Sequence, residues 1–205
     1  MKIGGFQGLT LMDYPGHTAA IVFTQGCNFR CPFCHNGSLI PANGGGLLDQ
    51  DSILARLERR RGLLDGVVVS GGEPTIQEDL SGFLERLKVM GFLVKLDTNG
   101  SRPDVLRRVL GRGLVDYVAM DVKAPLDKYP RLAGIDCDRP RIEESIGLIA
   151  SSGIDHQFRT TWVEALLTSG DIERIRASVP EGSDYRVQVF VMENALDSRL
   201  RKGMA

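Results

Sequence analysis

The sequence has little excess charge of either sign, because its 205 residues contain 25 Lys and Arg against 26 Asp and Glu. A strong basic excess is typical of proteins that bind nucleic acids, so its absence argues against a nucleic-acid partner. The arginine clusters at positions 59–61 and 107–112 are interpreted as the solvated faces of helices, because Arg side chains are rarely buried.

The sequence also lacks a hydrophobic run of the roughly 20 residues that a membrane-spanning helix needs. Its first residues, MKIGGF, contain no apolar segment of the kind that directs secretion. We therefore expect a cytoplasmic protein without a membrane partner.

Cysteine is scarce, and three of the four cysteines lie close together as C-x3-C-x2-C: Cys27, Cys31 and Cys34. In a reducing compartment this clustering indicates metal ligands rather than disulfides. Three thiolates on one loop suit three irons of an iron–sulfur cubane, which leaves the fourth iron open to a non-protein ligand. A structural zinc site completed by His35 or Cys137 is the alternative, and Cys137 is otherwise interpreted as a free thiol.

Apolar runs alternate with amphipathic segments along the chain, without repeats or linkers, so we predict a single domain over residues 1–205. The predicted strands cover 18–25, 66–70, 92–98, 115–122, 155–163 and 185–191. The predicted helices cover 51–60, 78–90, 102–110, 141–151 and 171–178. This alternation predicts a parallel sheet. Because a closed eight-unit barrel takes ~250 residues, we predict an α/β fold: a partial, open (β/α)6 TIM-like barrel with parallel strands.

Polar motifs follow the predicted strands where ligands bind in such folds, at the strand carboxyl ends. Ser70-Gly71-Gly72-Glu73-Pro74-Thr75 follows the second strand, Asp97-Thr98-Asn99 ends the third, and Asp121 and Lys123 end the fourth. Glycines without side chains allow the backbone to approach a ligand closely, although a plain tight turn also explains a Gly-Gly pair.

The cysteine motif after one strand and Gly-Gly-Glu-Pro after the next together resemble the radical S-adenosylmethionine (SAM) superfamily, and the resemblance runs over nearly the whole chain. Other segments resemble the activating enzymes of glycyl-radical enzymes, and among these the activating protein of anaerobic ribonucleoside-triphosphate reductase. These segments are DYPG at 13–16, FTQGCNFRCP at 23–32, CHN at 34–36, LDTNG at 96–100 and MDVKAP at 120–125.

The resemblance implies a [4Fe–4S] cluster held by Cys27, Cys31 and Cys34, with SAM on the open iron. An electron from a flavodoxin- or ferredoxin-type donor would cleave SAM reductively to a 5′-deoxyadenosyl radical. That radical would take a hydrogen atom from a glycine Cα of a partner enzyme. No nucleophile or general base is needed, so no catalytic side chain is predicted beyond the cluster and SAM.

The resemblance also implies roles for individual side chains in SAM binding. Glu73 supports contact of the two glycines with the SAM amino group, and an Asp–Lys pair lies beside the SAM carboxylate. The two Asp residues can help hold a monovalent cation. Arg159 lies near the carboxylate or substrate, and Phe33 near adenine. The predicted cofactor-binding residues are Phe33, Gly71, Gly72, Glu73, Asp97, Thr98, Asp121, Lys123 and Arg159.

Each of these residues also has a structural interpretation: an ion pair for Asp121 and Lys123, a buried pair for Arg159 and ordinary core packing for Phe33. Three alternative functions stay open. The protein could activate another glycyl-radical enzyme, such as pyruvate formate-lyase. It could act on a small molecule, as carboxy-deazaguanine synthases do. It could also be a non-enzymatic metal-bearing module, which leaves the Gly-Gly-Glu-Pro motif unexplained.

Overall fold

A computed structural model describes residues 1–201 of the chain and shows one seven-stranded sheet in which each strand pairs with the next in sequence. The strands are β1 (Ile3–Thr10), β2 (Ala19–Thr24), β3 (Gly66–Gly71), β4 (Leu93–Thr98), β5 (Tyr117–Asp121), β6 (Asp155–Trp162) and β7 (Asp184–Val189). Strands β2 to β7 are parallel, and β1 runs antiparallel to β2. Within residues 1–201, β1 and β7 form two free edges, so the barrel is open.

In the described part of the chain, six helices connect or flank the strands. They are α1 (Gln50–Glu58), α2 (Leu80–Val89), α3 (Pro103–Gly111), α4 (Tyr129–Ala133), α5 (Arg139–Ala150) and α6 (Ser169–Ser178). Short 3-10 turns cover Gly37–Leu39, Pro74–Ile76, Leu126–Lys128, Met192–Asn194 and Ser198–Leu200. Among residues 1–201, none of these helices is both long and apolar enough to cross a bilayer.

The predicted open α/β barrel with parallel strands is confirmed, with all six predicted strands present within a few residues of their predicted ends. Strand β1 and helix α4 were not predicted. Three glycines in β1 dilute its strand signal, and α4 has only five residues, too few for a helical periodicity. The predicted single domain includes residues 202–205, which lie outside the described residues.

The two faces of the sheet carry different side chains because neighbours in a strand point to opposite sides. Val67 and Val69 of β3 face the helices and belong to the large apolar core, in which α2 buries Leu80, Phe83, Leu84 and Leu87. Val68 points to the concave side, where a small second cluster joins it to Tyr14. The remaining concave surface is therefore left for polar groups.

Replacing the fully buried Leu84 of α2 with alanine should lower the free energy of unfolding by about 2–5 kcal/mol, because the change leaves a cavity in the core. Leu63→Ala is the matched control, since that leucine is 73% exposed. This change should alter the free energy of unfolding by less than about 0.5 kcal/mol. Urea titration of the metal-free protein, followed by circular dichroism, measures both. Equal losses would contradict the packing of α2 against the sheet.

Candidate active site

Three loops meet at the carboxyl edge of the sheet, and backbone hydrogen bonds join the first two. The loop after β2 carries the three cysteines, and the turn after β3 carries Gly71, Gly72 and Glu73. The Gly72 N–H donates to the Thr24 carbonyl over 2.9 Å, and the Glu73 N–H donates to the Gly26 carbonyl over 2.9 Å. The predicted cluster loop and the predicted SAM-binding turn are therefore held as one unit.

This close approach requires glycine at both positions of the turn. Gly71 has a φ of 112°, which side-chain-bearing residues rarely adopt, and a Cβ there would overlap the Thr24 backbone. A Cβ on Gly72 would overlap the Gly26 carbonyl oxygen. The glycines thus have a structural role in addition to the ligand contact that the sequence predicts.

The Glu73 carboxylate is 1% exposed and connects the turn to the end of β4. Its Oε1 accepts hydrogen bonds from the Thr75 N–H (3.0 Å) and the Thr98 hydroxyl (2.8 Å), and from the Thr75 hydroxyl. Its Oε2 accepts one from the Asn99 N–H over 2.6 Å. Burial raises the pKa of Glu73, and these four donors act in the opposite direction.

A second link joins the loop after β4 to the cysteine loop. The Asn99 amide donates to the Asn28 side-chain oxygen over 2.9 Å, and the Asn28 amide donates to the Ser101 hydroxyl over 2.8 Å. Asn28 follows Cys27 directly. The loops after β2, β3 and β4 are therefore cross-linked in a ring by Glu73, Gly26 and the two asparagines.

The cysteine loop has the donor set that an iron–sulfur cluster needs. Cys31 is buried, Cys27 and Cys34 are half-buried, and all three are free thiols. Burial raises the pKa of Cys27 to about 12, with the Glu73 charge adding to it, and burial also raises the pKa of Cys31. The positive charge of iron would be needed to hold these thiols as thiolates.

A single zinc ion, in contrast, needs its ligands to converge on one point. Among residues 1–201, no three His, Cys, Asp or Glu side chains converge in this way. His35 instead stacks on Phe190, with ring centroids 5.6 Å apart, and its Nε2 accepts a hydrogen bond from the Val191 N–H. Three free thiols on one loop are the donor set of a cluster that leaves one iron open.

Beside these loops, charged residues of β4, β5 and β6 form a continuous network on the concave face. Arg159 of β6 is the register partner of Asp121, and its Nε donates to that carboxylate over 2.8 Å. Its Nη1 lies 3.6 Å from a carboxylate oxygen of Asp97. Lys123 donates to the second oxygen of Asp121 over 3.0 Å. The guanidinium thus bridges the ends of β4 and β5.

Asp97 has two further partners that the sequence analysis did not single out. The Lys95 ammonium donates to one of its oxygens, and the Ser70 hydroxyl donates to the other over 3.0 Å. We refer to Lys95, Asp97, Asp121, Lys123 and Arg159 as the charge network. Its members lie on or directly after three adjacent strands, β4, β5 and β6, and comprise three cations and two carboxylates.

The electrostatics keep three members of the network ionised: Asp121, Lys123 and Arg159. Burial alone would raise the pKa of Asp121, but Arg159 and Lys123 outweigh burial and hold this pKa well below its usual range. Burial opposes the charges of Lys123 and Arg159 as well, yet the neighbouring carboxylates hold both of their pKa values above the ordinary ones. These cations are thus available for an anionic ligand.

The structure brings most of the predicted site residues together, with two qualifications. Phe33 is buried in the apolar core, and Lys123 Nζ lies 5.9 Å from its ring centroid. The Thr98 hydroxyl donates to Glu73 and accepts from the Gly100 N–H over 3.1 Å, so it is engaged within the protein. Gln188, which the sequence left undecided, lines a groove beside β7. SAM contact by these residues stays a prediction.

Residues 21–175 match the radical SAM superfamily, and this match covers well over half of the chain. The chain therefore belongs to the radical SAM superfamily and is an enzyme of that class, for which a [4Fe–4S] cluster and SAM are implied. Within the superfamily it is 34% identical to "Putative glycyl-radical enzyme activating enzyme MJ1227" of Methanocaldococcus jannaschii, over 98% of this chain and 84% of that protein.

One further relative agrees with this assignment, and one solved structure shares the fold. The chain is 33% identical to the pyruvate formate-lyase-activating enzyme of Clostridium pasteurianum, over 60% of this chain and 52% of that enzyme. Its fold resembles the crystal structure of Streptococcus suis SuiB bound to precursor peptide SuiA, with a TM-score of 0.68 and 12% identity. That alignment covers 88% of this chain and 43% of SuiB, and at this identity it supports the fold alone.

Sequence reasoning missed Lys95, Ser70 and Asn28. A signal for Lys95 was present, since it lies two residues before Asp97 in a strand, and alternation places both on one face. Ser70 stands in the motif itself, but its partner Asp97 comes from another strand. Nothing local marks the contact between Asn28 and Asn99, which are 71 residues apart.

Gly72→Ala should lower the free energy of unfolding by about 1–3 kcal/mol or more, because the new Cβ forces the turn away from the Gly26 carbonyl. It should also reduce the iron retained after anaerobic reconstitution. Gly82→Ala is the matched control. A Cβ there meets open space inside α2, and the change should stabilise the protein by about 0.5–1 kcal/mol. If urea titration gave the two variants equal free energies of unfolding, the close approach of Gly72 to the Gly26 carbonyl would be contradicted.

Proposed function

We propose that this protein cleaves SAM reductively at a [4Fe–4S] cluster and generates a glycyl radical on a partner enzyme. The resemblance of its sequence motifs favours anaerobic ribonucleoside-triphosphate reductase as that partner. One observation carries the proposal: the cysteine loop and the Gly71–Glu73 turn are cross-linked by hydrogen bonds, and Ser70, directly before the turn, donates to Asp97 of the charge network. A metal-bearing module without a substrate would need neither the Gly71–Glu73 turn nor the charge network.

The proposed roles follow from the contacts. Cys27, Cys31 and Cys34 would hold three irons, leaving one open. When bound and reduced by one electron from the donor protein, the cluster and SAM would supply a carbon radical that takes a hydrogen atom from the substrate. The backbone of Gly71 and Gly72 would receive the SAM amino group on a turn that Glu73 fixes.

The charge network would receive the other end of the methionine moiety. Lys123 and Arg159 are ionised and partly exposed, so they would bind the SAM carboxylate as a point charge and a planar donor. Asp97, Asp121 and Thr98 hold these groups and the turn in place. The resemblance assigns Phe33, packed beside Lys123, to the adenine side. A flavodoxin- or ferredoxin-type protein is the proposed electron donor.

The open side of the barrel supports a protein substrate. Strand β7 is an edge strand, and a groove of about 700 Å³ lies where β6 and β7 end. Most of its lining is apolar, and several of these side chains are exposed: Trp162, Val189 and Met192. A substrate loop can enter here. The relative from Methanocaldococcus jannaschii, named as an activating enzyme of glycyl-radical enzymes, supports the same substrate class.

Cys31→Ala should abolish 5′-deoxyadenosine formation from SAM and dithionite in anaerobically reconstituted protein, because it removes one iron ligand. Cys137→Ala is the matched control, since this half-buried thiol lies outside the cysteine loop. It should retain wild-type iron and product. If Cys137→Ala lost as much iron as Cys31→Ala, Cys137 would be a fourth metal ligand, as in the alternative of a structural zinc site.

The partner can be identified by electron paramagnetic resonance after the reduced protein and SAM are mixed with a candidate enzyme. We expect a glycyl-radical signal with the anaerobic ribonucleoside-triphosphate reductase of the same organism. A signal only with pyruvate formate-lyase would overturn the choice of partner and keep the reaction. Product from a carboxy-deazaguanine synthase substrate, without a glycyl radical on either enzyme, would replace the proposal by its small-molecule alternative.

Val189→Glu should lower the yield of glycyl radical per SAM consumed by about tenfold, because a charge in the apolar groove opposes docking of a substrate loop. Val189 is 87% exposed, so folding should not suffer. Val89→Glu on α2 is the matched control, since Val89 is 82% exposed and lies outside the groove. Equal yields from both variants would show that the partner docks elsewhere.

A further inference from the structure

The charge network carries one positive charge in excess before any ligand binds. Lys95, Lys123 and Arg159 surround the carboxylates of Asp97 and Asp121, and all five lie on or directly after three adjacent strands. The α-carboxylate of SAM brings one negative charge. Counting that carboxylate alone, the formal charges of the network would balance without any metal ion besides the cluster.

This count disagrees with the monovalent cation that the family resemblance implies at Asp97 and Asp121. Both oxygens of Asp121 already accept hydrogen bonds from cationic groups. One oxygen of Asp97 accepts from Lys95, and the other accepts from Ser70 and faces Arg159 at 3.6 Å. A metal cation placed there would meet an excess of positive charge. The residues present do not fit a bound sodium or potassium ion.

Lys95 is the member of the network that creates the excess. It is 3% exposed and lies on the concave face, where its register partners on the flanking strands are Val68 and Tyr117. Its ammonium lies 5.8 Å from the Tyr117 ring centroid, and it donates to Asp97. The Lys95 ammonium donates to Asp97 from within the fold, so it occupies the position beside this carboxylate that an exchangeable ion would otherwise take.

We infer that Lys95 takes the place of the monovalent cation, so that this enzyme binds SAM independently of sodium or potassium. The inference rests on the proposed function, because it requires SAM to bind at the charge network. Lys95 acts through Asp97 and is a positioning residue: it offsets the charge of that carboxylate, so that Arg159, which faces the same carboxylate at 3.6 Å, can attract the carboxylate of SAM together with Lys123.

Isothermal titration calorimetry of SAM into the cluster-loaded, oxidised holoenzyme tests the inference under anaerobic conditions, where no turnover occurs. The titration is run in about 100 mM tetramethylammonium chloride and again in about 100 mM potassium chloride, so that ionic screening is equal. We expect the wild-type Kd to differ by less than about twofold between the salts. A wild-type affinity that rises saturably with potassium at constant ionic strength would overturn the inference.

Lys95→Met and Lys95→Arg supply a matched pair of variants. Lys95→Met keeps length and removes the charge, so SAM should bind about tenfold more weakly in tetramethylammonium and recover in potassium. Lys95→Arg keeps the charge and should be insensitive to potassium. Rescue by potassium separates a lost charge from a damaged fold, and thermal unfolding of each variant is measured alongside. A folded Lys95→Met variant that binds SAM weakly in both salts would overturn the role of Lys95.

The outcomes for the inference and for the proposed function are distinguishable. Potassium-dependent SAM binding by the wild type would remove the inference and leave the proposed function intact. A wild-type holoenzyme that binds no SAM in either salt would overturn the proposed function and the inference with it. If Lys95→Met does not fold, the wild-type comparison still decides the question of cation dependence.

Discussion

The buried carboxylate of Glu73 is the interaction on which the arrangement of the site depends. Burying a carboxylate is costly unless donors surround it, and here four donors from Thr75, Thr98 and Asn99 do so. Those donors belong to two successive loops of the sheet. The carboxylate therefore fixes the distance between the turn and the end of β4, while the Glu73 N–H fixes the turn against the cysteine loop through Gly26.

The parallel sheet explains why a charge network can exist beside this junction. Register pairing brings Asp121 and Arg159 side by side, and the alternation of side chains places Lys95 and Asp97 on the same concave face. Each buried charge has a partner of opposite sign, so desolvation is offset within the network. The helices cover the other face, and the free edge at β7 leaves the concave face accessible from one side.

The sequence predicted the parallel strands well because strands covered on both faces, such as Gly66–Gly71, appear as continuous apolar runs. It did not predict β1, an edge strand whose glycines give little strand signal. The site motifs were recognisable because each is local in sequence. The cross-links between them were not, since Asn28 and Asn99, or Asp97 and Arg159, meet only through the order of the strands. Lys95 shows that a charged residue inside an apolar strand is itself a signal.

The glycine positions of the turn have an evolutionary consequence. A Cβ at Gly72 would collide with the backbone whether or not a cofactor is bound, so purifying selection for folding alone would preserve this residue. A descendant that had lost its chemistry but kept its fold would still carry the glycines. In a lineage of such proteins, the retained glycine pair would show that the members share a fold. Substitution of the three cysteines would show at which branch the reaction was lost.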